Sequence, residues 1–231
     1  MANTVRAAVQ ILLEEVYALS KLRVIFKKCE GLRYVGHLDI LRTFSRVLRR
    51  IDFPLKYSEG FNPHPVMTFI LPTGVGVTSD CEMVDIGITS EPDISRFIND
   101  FNSHTAPNSL EVVSAEITDT KMPEIEKAEY NIEIINDKPV LKEELLKVLE
   151  MPEIMVDKKS KKQTKQVNIK EHIFDYEIAE IKDNIVKLKM VLSAGNTFNI
   201  KPVLVIQGIS SVCDNLSPLA IKPRRTKYFM Q

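Results

Sequence analysis

The 231-residue chain is 44% apolar and 27% charged, proportions of a folded soluble protein and not of a disordered or collagen-like one. No apolar run reaches the ~20 residues of a membrane helix. Cys29, Cys81 and Cys213 stand too far apart for a CxxC motif, iron–sulfur ligation or a disulfide framework, which points to a reducing cytoplasm.

The length suits one large domain or two of about 100 residues each. The zero net charge hides three blocks. Residues 1–79 carry 11 basic and 6 acidic side chains (+5), 80–153 carry 6 and 18 (−12), and 154–231 carry 14 and 7 (+7). Two basic blocks around an acidic one fit a surface polarised toward a polyanion, and they also fit the ordinary clustering of charge in soluble chains.

Val5, Val9, Leu12, Leu13, Val16 and Leu19 recur at helical spacing, so residues 1–20 are expected to form an amphipathic helix that docks on a partner or a second copy. Glu14 and Glu15 argue against a secretory signal. Alternation at Leu22, Val24 and Phe26 predicts a strand, and Leu38, Ile40, Leu41, Phe44, Val47, Leu48 and Ile51 predict a helix from His37 to Ile51. Leu55–Tyr57 and Val66–Leu71 read as extended segments around a Gly60–Pro65 turn, and Met83–Ile88 reads as a strand. Asp93 caps a helix through Ile94, Phe97, Ile98 and Phe101, and Val113, Ala115 and Ile117 alternate again.

After a proline- and acid-containing link the order nearly repeats. Tyr130, Ile132 and Ile134 alternate, and Leu141, Leu145 and Leu149 mark a helix. A strand opens at Ile154 and is interrupted by lysines. Phe174–Ile178 pairs with Val186–Met190 across Asp183-Asn184. Pro202 starts a helix to about Ile209, and Leu219–Lys222 is a last strand. The expected fold is α+β: two tandem ferredoxin-like (βαββαβ) sandwiches, the second with an extra strand, preceded by the N-terminal helix. The boundaries are 1–20 for that helix, 21–119 for the first half, 120–127 for the link and 128–231 for the second half.

Three segments carry candidate chemistry. In Tyr34–Asp39 and the helix that follows, Arg42, Arg46 and Arg49 share one helical face with spacing for successive phosphates, or else form a solvated face opposite the core. Lys56–Pro65 is pinned by Gly60, Pro63 and Pro65, and presents Tyr57, Phe61, Asn62 and His64 for stacking and hydrogen bonding. The competing reading makes its aromatics core plugs. Lys158, Lys159, Lys161, Lys162 and Lys165 form an electrostatic arm or a solvated loop, with Arg224 and Arg225 in a second basic patch. His37, Asp39, Tyr57, Phe61, Asn62 and His64 are expected to line one pocket facing a flipped or single-stranded base. No GxxxxGK[ST], GxGxxG or HExxH motif occurs. Two histidines, His37 and His64, do not define a metal site.

Three stretches resemble a known family: Tyr34-Val35-Gly36-His37-Leu38-Asp39-Ile40-Leu41-Arg42, the run from Pro54 through Gly60-Phe61-Asn62-Pro63-His64-Pro65, and Leu192-Ser193-Ala194-Gly195-Asn196-Thr197-Phe198-Asn199-Ile200-Lys201-Pro202. They look like the signatures of the radical SAM-linked proteins, bacterial proteins of unknown function fused behind a radical SAM enzyme or encoded beside one. The resemblance spans about residues 22–228. It implies an accessory role to a radical enzyme, and the family's genomic company with ribosomal-protein and ribonuclease genes implies RNA. S-adenosylmethionine and an iron–sulfur cluster are expected only on that partner, because this chain lacks CxxxCxxC. The leading expectation is a non-catalytic RNA-binding accessory protein. The alternatives are an RNA-modifying or RNA-processing enzyme using His37, Asp39 and His64, and a small-molecule or protein-docking module without nucleic acid.

Overall fold

A computed structural model describes residues 21–159, 164–195 and 198–230. The N-terminal stripe, Lys161 and Lys162 lie outside the described residues, as does the side chain of Lys159. The chain divides into two compact units, one reaching to Met122 and the other starting at Pro123. Both are α+β, with four helices among the described residues. None is long and apolar enough to cross a membrane.

In the first unit β1 (Lys21–Lys28) lies between β4 (Leu110–Thr118) and β3 (Thr78–Gly87), and β2 (Met67–Ile70) also pairs with β3. Every pairing is antiparallel. The even positions of β1, Leu22, Val24 and Phe26, are buried, as period-two alternation requires. They share one core with Ile40, Phe44, Val47 and Leu48 of α1 (His37–Arg50) and with Phe97 and Phe101 of α2 (Ile94–Ser103). Phe44 joins the layers, with ring centroids 4.7 Å from Phe26 and 4.8 Å from Phe101. Asp93 caps α2 by accepting the Arg96 N–H at 2.9 Å. Leu55–Tyr57 is not a strand. It makes only the isolated bridges Leu55↔Ile88 and Tyr57↔Pro65, because Pro54 and Pro65 have no N–H to extend a ladder.

The second unit orders its strands β10 (Pro218–Met230), β5 (Ile125–Asn136), β9 (Ile185–Ser193), β8 (Ile173–Lys182), again all antiparallel. The β8–β9 turn places Asp183 at φ 53°, a conformation that Asp tolerates. Helices α3 (Lys142–Leu149) and α4 (Pro202–Val212) complete it. Three expectations change here. The extra strand is a separate two-stranded hairpin, β6 (Met155–Lys159) with β7 (Thr164–Asn168). β5 begins at Ile125, inside the expected link. The last strand extends eight residues past Lys222, to Met230, and buries Pro223, Arg225 and, after a register shift between Arg225 and Lys227, Tyr228 instead of aliphatic side chains.

Candidate nucleic-acid interface

On α1 the spacing works as the helix period demands. Ile40, Phe44, Val47 and Leu48 turn inward, and Arg42, Arg46, Arg49 and Arg50 stay exposed on the other side. Arg42 Nη1 donates to Asp39 Oδ1 at 2.9 Å, a surface pair that a phosphate can replace at little expense. Arg49 Nε donates to the Ser45 carbonyl at 3.1 Å.

The loop after α1 is held at both ends. Lys56 N–H donates to the Gly87 carbonyl and Val66 N–H to the Lys56 carbonyl, each at 2.9 Å. Across the loop, Ser58 N–H donates to the His64 carbonyl at 2.8 Å, and Ser58 Oγ meets His64 Nδ1 at 2.8 Å. Gly60 takes φ +116°, which an L side chain rarely adopts. Next to it Phe61 stands fully exposed, at 105% of its reference area. Phe61 is therefore no core plug. Tyr57, Asn62 and His64 are exposed beside it in sequence.

His37 goes elsewhere. Its ring packs edge-on against Phe69 at 5.0 Å, and its Nδ1 is buried without a hydrogen bond. With Phe26, Lys28, Ile40, Phe69, Pro72, Thr73 and Glu82 it lines a cavity of ≈ 10 Å³, room for about one water. Thr73 Oγ1 is likewise unpartnered, while Thr73 N–H donates to Glu82 Oε2 at 3.1 Å. Asp39, Tyr57, Phe61, Asn62 and His64 line none of this cavity, so the six expected pocket residues do not converge on it. The reason is helical: Asp39 is two positions past His37, about 200° around the axis. Asp39 instead pairs with Arg42, and His64 with Ser58.

The basic residues of the second unit divide. Lys165 and Arg224 are exposed. Arg225 is buried (4% exposed): its Nε donates to Tyr130 Oη at 3.3 Å, its Nη1 donates to Tyr228 Oη, and its guanidinium lies 4.9 Å from the Tyr228 ring centre. It is a core residue and not part of an RNA-facing patch. Lys158 is no free arm either. Its ammonium donates to the Asn199 carbonyl at 2.8 Å and sits 3.7 Å from the Phe198 ring centre. Burial, then neighbouring Lys201, lowers its pKa from the ordinary lysine value.

Sequence reasoning passed over the residues around Lys158. His172 stacks on Phe198 with centroids 3.7 Å apart and planes 9° apart, and its Nδ1 lies 3.0 Å from Ser193 Oγ. Burial lowers the imidazole pKa, Lys158 adds to that, and Glu171 opposes it. The stretch from Ser193 to Ile200 closes on itself through the Ala194↔Asn199 bridge and the Ile200 N–H to Ser193 carbonyl bond of 3.1 Å. A Cβ at Gly195 would come within 2.7 Å of the Ile125 carbonyl oxygen, so the turn requires glycine there. The signal for this cluster was the signature run Leu192–Pro202. Among the described residues no group of three or more His, Cys, Asp and Glu is placed to hold a metal, and all three cysteines are free thiols.

A solved structure shares the fold. One chain of a Cbf5-Nop10-Gar1 complex matches at 10% identity and TM-score 0.55, over 94% of this chain and 50% of that one. Chains of the archaeal box H/ACA sRNP Nop10-Cbf5 complex (12%, TM-score 0.48) and of an H/ACA RNP bound to a substrate RNA containing 2'-deoxyuridine (10%, TM-score 0.46) each align over 93% of this chain and 49% of theirs. This chain thus spans about half the length of those chains, and the likeness to the first of them is one of fold alone. No curated protein sequence matches. The family described as "Uncharacterized protein conserved in bacteria (DUF2344)" matches residues 21–202, and the chain belongs to that family.

Proposed function

We propose that this protein is a non-catalytic, cytoplasmic RNA-binding accessory protein that presents RNA to a separate radical SAM enzyme. The observation that carries the RNA reading is Phe61, a fully exposed aromatic on a loop locked by Ser58 and His64. Exposure of a whole phenyl ring does nothing for folding, whereas a rigid ring is a stacking platform for an unpaired base. The exposed arginines of α1 supply phosphate contacts in the same unit. The partner enzyme is inferred from the resemblance of the three signature stretches. Both units are read here as ferredoxin-like, a reading supported by the orders β4–β1–β3–β2 and β10–β5–β9–β8, antiparallel throughout and each accompanied by two helices.

The test is Phe61→Ala, with affinity for a single-stranded RNA measured by fluorescence anisotropy and stability by thermal melting. Loss of one stacked base weakens binding by about 1–3 kcal/mol. The melting temperature stays the same because the ring touches no core. Unchanged affinity would remove the loop from the interface and the RNA reading with it.

A further inference from the structure

The signature stretch Tyr34–Asp39 holds an aromatic that the core does not use. Tyr34 is 75% exposed, and two further apolar side chains, Leu38 and Val75, are 65% and 62% exposed. Backbone contacts bring the three to the N-terminal end of α1. Gly76 N–H donates to the Arg33 carbonyl, and Arg33 Nη1 donates to the Gly76 carbonyl, each at 2.8 Å. Tyr34 and Val75 are the chain neighbours of that clasp. A Cβ at Gly36 would touch Val75 Cγ2 at 4.0 Å, and Leu38 follows on the first turn of the helix. The loop between β2 and β3 is fixed on both sides of Val75, since the Lys28 ammonium donates to the Gly74 carbonyl at 3.1 Å. Arg33 is itself buried, with Nε 2.8 Å from Glu30 Oε2. The surface is therefore rigid, although its three exposed side chains add nothing to the core.

From Leu38 the helix continues this surface as an exposed cationic ridge. At the helical step, Leu38, Arg42 and Arg49 fall within about 40° of one another around the axis, with Arg46 about 40° to one side. Arg42, Arg46 and Arg49 follow Leu38 at about 6, 12 and 16 Å along the axis. An aromatic, apolar end that runs into a line of cations suits an unpaired strand, whose bases are flat apolar faces and whose backbone is a polyanion. An apolar protein segment would match the first part of this track and not the second.

We propose that Tyr34, flanked by Leu38 and Val75, is a stacking platform for an unpaired RNA base whose adjoining phosphates run along Arg42, Arg46 and Arg49. The inference rests on the RNA-binding reading above, and adds to it a second base site and the path of the strand.

The chain contains no tryptophan, so Tyr34→Trp installs a single fluorescent reporter at the platform. The probe is a single-stranded oligouridylate. In the free variant iodide quenches the indole, and saturating RNA lowers its emission and shields it from iodide. Tyr34→Ala weakens affinity about 5- to 150-fold, the loss of one stacked base. Its slope of log affinity against log salt and its melting temperature match the wild type, because no phosphate contact and no core contact is lost. Tyr34→Trp keeps wild-type affinity. Full affinity in Tyr34→Ala overturns the platform and leaves the RNA reading standing. So does RNA binding that changes neither the emission nor the iodide access of the Trp variant. An indole already shielded in the free protein also overturns it, marking the surface as covered by residues 1–20 or a second copy. RNA binding absent from the wild type overturns the RNA reading and the platform together.

Discussion

Phe61 stands in water and Arg225 is buried, the reverse of what each side chain's chemistry suggests. Both placements have local causes. Gly60 and the Ser58–His64 contacts hold Phe61 away from the core. β10 turns Arg225 inward, where the hydroxyls of Tyr130 and Tyr228 accept its N–H groups. Charge-assisted hydrogen bonds are worth about 1.5–3 kcal/mol each, and truncation also leaves a cavity. Arg225→Ala is therefore expected to cost about 3 kcal/mol in urea unfolding while leaving the salt dependence of RNA binding unchanged. A stable variant with weakened RNA binding would return Arg225 to the interface. At this scale the sequence was least legible. Lys222–Lys227 reads as a basic patch because its buried positions, Pro223 and Arg225, are not aliphatic and a register shift after Arg225 breaks the period before Tyr228. His172 and Phe198 meet because the turn just before β8 and the turn just after β9 follow from the Ile173↔Leu192 pairing, a long-range register that no spacing encodes.

The elements were more legible, because periodicity reports burial. The apolar stripe of α1 and the Asp93 cap of α2 follow directly from spacing and cap chemistry. Of the β6–β7 hairpin only the strand opening at Ile154 showed, since its lysines hide the second strand, and the reason for Gly208 did not show either. In isolation, Gly→Ala inside a helix stabilises by up to about 1 kcal/mol. Here the added methyl would meet Val156 at 2.5 Å and Ile169 at 2.8 Å. Overpacking costs about 1–3 kcal/mol and outweighs propensity. Gly208→Ala is thus expected to lower the melting temperature followed by circular dichroism. A raised one would show that the hairpin yields easily.

For the whole molecule, charge arithmetic excludes one simple account. With a net charge of zero, the chain has no global field to draw in a polyanion. Its −12 block runs through β4 and β5, which belong to different units, so acidic surface is present in both. On the proposed reading, RNA would be held by local contacts, above all the arginine face of α1. The direct test is the slope of log affinity against log salt for a single-stranded RNA, compared between the wild type and the triple variant Arg42→Gln, Arg46→Gln, Arg49→Gln. Each lost phosphate contact flattens the slope by about 0.7, so the variant is expected to lose about 2 units of slope while melting like the wild type. Equal slopes in the two proteins, or wild-type binding insensitive to salt, would contradict the account.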